Sequence, residues 1–226
     1  MGGSSAWCNS TCCRAIPEAG PLVIRREQIG IENRILGGAM RATFAAALAA
    51  FFLSTAGALA CGQERWPVKT GTDDDVRSVI LAPRLTTIAA LHAIPAPADP
   101  NAQRSSRFAP VETSVATLSA ILTVIKRETD EDYHLVLADP ANPRLTMIVE
   151  SPHPHCALGS FFAENIAATR GAIEDFFGGP IQGRHVVNEP VTVTGIPFFD
   201  PLHGQEGVAP NGIELHPILA IRFDQP

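Results

Sequence analysis

Residues 114–126 read SVATLSAILTVIK, and no other run restricts the fold so strongly. Ala116, Leu118, Ala120, Leu122 and Val124 alternate with Val115, Thr117, Ser119, Ile121 and Thr123. A period of two sends successive side chains to opposite faces of a strand, so one face here is apolar from end to end. Wound as a helix, the same residues would scatter around the axis. The run exceeds the usual strand length of roughly 3–10 residues. That suits a first strand that bends and serves two parts of a barrel.

The rest of the regular chain follows from this strand. Residues 127–132 (RETDED) form a charged turn. Residues 133–138 (YHLVLA) make a second strand, with Tyr133, Leu135 and Leu137 on one face and His134 on the other. A turn rich in Pro, Asn and Asp leads to a third strand at 145–150. Three strands with short turns predict an antiparallel meander. Residues 160–177 place Phe162, Ile166, Ile173 and Phe177 at helical spacing, with Ser160 as the expected cap and Gly178-Gly179-Pro180 as the stop. After a polar connector at 181–189, two closing strands span 190–200 and 212–223. The order strand, strand, strand, helix, strand, strand predicts a mainly β domain over 111–226. Its expected form is a five-stranded OB-like antiparallel barrel with one major helix plugging an end. A general α+β meander is the alternative.

Residues 61–110 read as an irregular N-terminal segment. Its one short helix lies at 85–94, capped by Thr86 or Thr87 and stopped by Pro95, and a Pro-rich stretch follows at 96–110. Asp73, Asp74 and Asp75 read as a solvated turn, and Trp66 as a lid packed on the core.

Ahead of this body, residues 40–60 read MRATFAAALAAFFLSTAGALA. One arginine, an apolar core and an Ala58-Leu59-Ala60 end match a cleaved secretory signal peptide. The uninterrupted apolar run is shorter than the roughly 18 residues that a membrane span needs. Translation is accordingly expected to begin at Met40, with 1–39 an upstream extension that contains Cys8, Cys12 and Cys13. The exported chain is expected to be periplasmic or secreted, with no transmembrane span in its mature form. Its two cysteines, Cys61 and Cys156, are expected to pair in an oxidising compartment. The alternative is lipidation of Cys61, which would make a lipoprotein. However, Ala58 stands where such a signal has leucine.

Charge narrows the partners. Residues 61–226 hold 12 basic and 20 acidic residues, a net of −8, and all seven histidines. That balance opposes the counterion-releasing binding of nucleic acid, so nucleic acid is not an expected partner. The sequence shows no nucleophile elbow and no Ser-His-Asp order, and no catalytic residue is assigned. His153, His155 and Cys156 sit too close together to converge on one ion, because Pro152 and Pro154 keep that stretch extended.

The candidate site is the C-terminal pair of strands with their loop. Asp200 and His203 lie at one end of the loop, and Glu214 and His216 on the last strand. Residues two apart on a strand share a face. Pro217 removes a backbone donor and marks an edge or a bulge. The expected function is a non-catalytic OB-like binding module for a protein or carbohydrate ligand, using Asp200, His203, Glu214 and His216 and no cofactor. The alternative is a metal-dependent hydrolase. There His203, Glu214 and His216 would hold a divalent ion such as zinc, with Asp200 or Glu214 as base. A plainer reading leaves Asp200 and His203 closing the loop, with Glu214 and His216 on a solvated face.

Two stretches carry a resemblance. FFDxxHG from Phe198 to Gly204, followed by NGIELHP from Asn211 to Pro217, resembles a C-terminal motif of uncharacterised exported bacterial proteins. ERWPVKTGTD from Glu64 to Asp73 resembles the start of their mature chains. The resemblance implies export and a shared fold, and carries no activity. The element order invites comparison with thermonuclease, but that family's arginine and carboxylate motifs have no counterpart here.

Overall fold

The computed structural model describes residues 61–62 and 64–224. The upstream extension and signal peptide read from residues 1–60 lie outside the described residues.

The protein is mainly β. Strands β1 (Ile80–Leu85), β2 (Ser114–Arg127), β3 (Tyr133–Ala138), β4 (Thr146–Ser151), β5 (Arg184–Phe199) and β6 (Ile213–Phe223) form one six-stranded sheet. Helices α1 (Trp66–Thr70) and α2 (Ile88–His92) lie near the start, and α3 (Ala163–Phe177) joins β4 to β5. Strand β2 pairs antiparallel with β3 through its second half and with β5 along most of its length. The register of both pairings shifts between Leu122 and Val124. The remaining pairings are β3 with β4 and β5 with β6, both antiparallel, and β4 with β6, parallel at Val149 and Leu215. The circuit β2–β3–β4–β6–β5 therefore returns to β2.

Alternation along the strands sorts the side chains as periodicity predicts. Leu118, Ala120, Leu122, Tyr133, Leu135, Leu137, Met147, Val149, Val191, Val193, Ile213, Leu215 and Ile218 form one buried cluster. Ile173 of α3 joins it, with Phe177 packed alongside. Val115 and Leu219, each next to a member of that core, form a second cluster with Ile196, with Phe162 just before α3 and with Ile166 of α3.

Four expectations need correction. First, the sheet has six strands, not five, and the segment 61–110 supplies the sixth. The residues of β1 show no alternation, include Pro83 and are exposed throughout. They form a strand because β2 offers a free edge for parallel pairing, which local pattern does not encode. Second, the helix expected at 85–94 shrinks to α2, because Leu85 is drawn into pairing with Thr117. Thr87 caps the shorter helix through its hydroxyl, which accepts the Ala90 N–H at 3.1 Å. Third, α3 begins at Ala163. Ser160 instead donates to the Thr70 carbonyl at 2.5 Å and accepts the Phe162 N–H at 2.8 Å, so tertiary contact displaces capping. Fourth, β5 starts at Arg184 within the expected connector. Strand β2 runs on to Arg127 and pairs Lys126 with Arg184.

Cys61 and Cys156 lie at disulfide distance, 2.02 Å between sulfurs. In this state neither the Cys61 thiol for lipidation nor Cys156 as a metal ligand is free. Among the described residues, no helix is long and apolar enough to cross a membrane.

Candidate functional site

The outward face of β3, β4 and β6 is built from alternation. Leu135 pairs with Val149, and Val149 with Leu215, all three on the core side. Their neighbours His134, Glu150, Glu214 and His216 therefore share the opposite face. Register sets His134 directly across from Glu150. Strand β6 pairs Gly195 with Ile218 and Pro197 with Leu215, passing over His216 and Pro217. That break in register falls at Pro217, the expected place of an edge or a bulge.

This face is not solvated. Glu214 and His216 are buried, at 3% and 0% exposure. The N-terminal segment covers it: Trp66 of α1 packs edge-on against the His216 ring at 6.5 Å. The bland placement of Glu214 and His216 on a wet strand is thereby corrected. Two arginines pin the covering segment. Arg65, in the left-handed backbone region at φ 50°, makes a two-pronged ion pair with Glu112 at 2.7 and 2.6 Å. Its remaining donors reach the carbonyls of Gln103, Phe199 and Ser106. Arg107 grips Asp73 in the same way, so Asp73 is a buried partner and not part of a solvated turn.

Over this face lies a pocket of about 380 Å³. Its lining includes Glu64, Trp66, Lys69, Glu128, Asp130, His134, Glu150, Asp200, His203, Gln205 and Glu214. Carboxylates dominate, and Lys69 is the one lysine in the lining. Its ammonium lies 2.9 Å from Asp200 Oδ1. Burial works against that charge, but Glu214, Glu150 and Asp200 more than offset it and hold Lys69 above its ordinary range. Burial pushes the Glu214 carboxyl up to about 7, reinforced by repulsion from Asp200 and Glu150.

Glu150 bridges two imidazoles. Its Oε1 lies 2.9 Å from His134 Nδ1, and its Oε2 lies 3.0 Å from His216 Nδ1. Burial opposes its charge, yet the hydrogen bonds from the two histidines, with Lys69 nearby, hold Glu150 well below the usual carboxylate range. His134 Nε2 lies 3.0 Å from the Glu206 carbonyl, which can only accept. Nε2 therefore carries a proton, and a second proton lies between Nδ1 and Glu150. Burial lowers the pKa of His134, but Glu150 outweighs it and the net shift is upward. His216 Nδ1 donates to Glu214 Oε1 at 3.2 Å. Burial resists a charge on that ring too, but Asp132, Glu150 and Glu214 prevail and raise it.

The four residues expected to form the site divide into two groups. Asp200 and His203 meet at the pocket rim, with His203 Nε2 3.4 Å from Asp200 Oδ2, and Glu64 stands near enough to share an ion with them. Gln205 ties the loop down by donating to Asp200 Oδ2 at 2.7 Å. Glu214 and His216 meet deeper, where Asp132 and Glu150 are within reach of His216. Sequence reasoning did not assign Lys69, Asp132, His134 or Glu150 to the site. The pair His134 and Glu150 was within reach of it: both face away from the core on adjacent antiparallel strands, so register alone brings them together. Lys69 and Asp132 carried no such signal, since a five-residue helix and a turn have no partner written into them.

The chain matches no family model, no curated protein and no solved structure.

Proposed function

We propose that the chain is an exported OB-like binding module, periplasmic or secreted, whose pocket takes a carbohydrate ligand. The OB-like reading is supported by the pairing circuit, the parallel β4–β6 contact and a helix joining β4 to β5. Export is supported by the leader-like run at 40–60 and by the Cys61–Cys156 pair.

The observation that carries the ligand class is the pocket lining. A sugar presents hydroxyls that both donate and accept, and apolar C–H faces. The pocket offers carboxylate acceptors in Glu64, Asp200 and Glu150, a donor in Lys69, and the flat indole of Trp66. Phosphate groups are disfavoured, because the one lysine is already engaged by Asp200.

A panel of neutral and amino sugars titrated into the protein, followed by calorimetry, tests this. Saturable binding by at least one sugar, weakened at least tenfold by Trp66→Ala, is the expected result. Failure of every sugar at millimolar concentration, or binding indifferent to Trp66→Ala, rejects it. A protein partner becomes the better reading in that event.

A further inference from the structure

Two polar atoms behind the pocket have no hydrogen-bond partner among the described residues although they are fully enclosed: Asp132 Oδ2 and His216 Nε2. Asp132 is 1% exposed and His216 0%. The two atoms face each other across 3.6 Å. That is longer than the roughly 2.7–3.2 Å of an N–H···O bond, so Asp132 acts on the ring through its charge and both atoms are left without a hydrogen bond. We propose that this gap is a binding site for a divalent cation of the manganese and zinc class, held by Asp132 Oδ2, His216 Nε2 and the Glu150 carboxylate.

The geometry fits. Ligand bonds of about 2.0–2.2 Å to nitrogen and oxygen span 3.6 Å with an angle of about 120° at the ion. Asp132, Glu150 and His216 each offer a ligand atom within 4.8 Å of the others, and Glu150 Oε2, which lies 3.0 Å from His216 Nδ1, turns from that nitrogen to the ion. One imidazole and two carboxylates form a mixed donor set suited to Mn²⁺ or Zn²⁺. The supports of the ligands are also in place. The far nitrogen of His216 donates to Glu214, the arrangement that orients a metal-bound histidine and leaves its other nitrogen bare. Asp132 Oδ1 accepts the His153 N–H at 3.0 Å, which aims Oδ2 at the gap.

The site differs from the one expected from sequence. His203 and Glu214 are not ligands, because His203 sits at the rim with Asp200 and Glu214 serves the far side of the ring. Since Glu150 also lines the pocket, the cation fixes one wall of the ligand site. The inference does not depend on what the pocket binds, and sugar binding is read separately from it.

The test uses Mn²⁺, whose preference for oxygen keeps it from thiols elsewhere in the chain. Titration into chelator-treated, histidine-labelled protein is followed by calorimetry and by paramagnetic broadening of the histidine ring signals. One equivalent is expected to bind, with the His216 ring broadened first. Asp132→Asn, which keeps the shape and the acceptor for His153, is expected to weaken binding at least tenfold without altering the circular dichroism. Absence of Mn²⁺ uptake by the folded wild type, broadening centred on His203, or unchanged affinity in Asp132→Asn overturns the proposal. Should that variant fail to fold, the site of broadening in the wild type decides alone.

Discussion

Glu112 is fully buried, and each of its oxygens accepts twice. Oε1 takes Arg65 Nη1 and the Phe199 N–H, while Oε2 takes Arg65 Nη2 and the Phe108 N–H. The guanidinium above it also lies over the rings of Phe108 and Phe198, at 4.9 and 4.6 Å. Removing one charge from so complete a pair leaves the other buried without compensation. Glu112→Gln is therefore expected to cost about 3–5 kcal/mol, read as a lower urea midpoint. A loss below 1 kcal/mol would show that the pair tolerates being broken. Gly212 poses a different constraint: its φ is +72°, and a Cβ there would collide with the Asp200 carbonyl. Gly212→Ala should cost about 1–3 kcal/mol from the left-handed backbone alone. Denaturation with unchanged stability would contradict that. Tyr133 is the only tyrosine in the chain. Burial, then its hydrogen bond to Glu174, raises its pKa. A raised pKa contributes stability that is present below the ordinary value near 10 and is lost as pH climbs through the folded value. The phenolate absorbance of the folded protein is expected to rise only above that ordinary value, and in parallel with loss of structure. A titration midpoint at or below it would contradict the burial seen here.

At the scale of elements, α1 does most to decide the character of the site. Five residues make a helix too short to persist alone. Its place is set from outside, by Arg65 at one end and by the sulfur pair beyond it. The disulfide closes a sequence separation of 95 residues, which on the chain-entropy model stabilises the fold by about 4–5 kcal/mol. The double variant Cys61→Ser, Cys156→Ser is expected to lose stability of that order. It should also loosen α1 from the face that it covers, seen as a red shift of tryptophan emission. Unchanged emission would mean that the two arginine pairs hold α1 unaided. Intact mass separates the two fates of Cys61: a loss of two hydrogens for pairing, a gain of acyl mass for lipidation. Strand β1 is the opposite case. It is exposed along its length and joined only to β2, and its loss would leave the pairing circuit intact.

Across the whole molecule, charge and connectivity set the limits. The net of −8 over residues 61–226 and a pocket rich in carboxylates predict no retention of single-stranded oligonucleotide at low salt, where counterion-driven binding is strongest. Salt-sensitive retention would reverse the choice of ligand class. The four strands with clear alternation or an unbroken apolar run, β2, β3, β4 and β6, were legible with bounds shifted by no more than one residue, because each buries a face and burial writes a period into the sequence. The body of α3 was legible for the same reason. Strand β1, the early start of β5 and the late start of α3 were not. Each is settled by a partner far along the chain: the edge of β2, the end of β2 and the Thr70 carbonyl. The site divides along the same line. Asp200, His203, Glu214 and His216 were legible because they crowd one hairpin. Lys69, Asp132 and Glu150 join them only after the sheet closes its register and the N-terminal segment folds across it. By itself the sequence determined the bodies of β2 to β6 and of the long helix, since hydrophobic period is a local property. Tertiary structure alone decided that the polar face of β3, β4 and β6 is covered and enclosed. Whether a side chain is wet depends on what packs over it, and here that cover comes from the far end of the described chain.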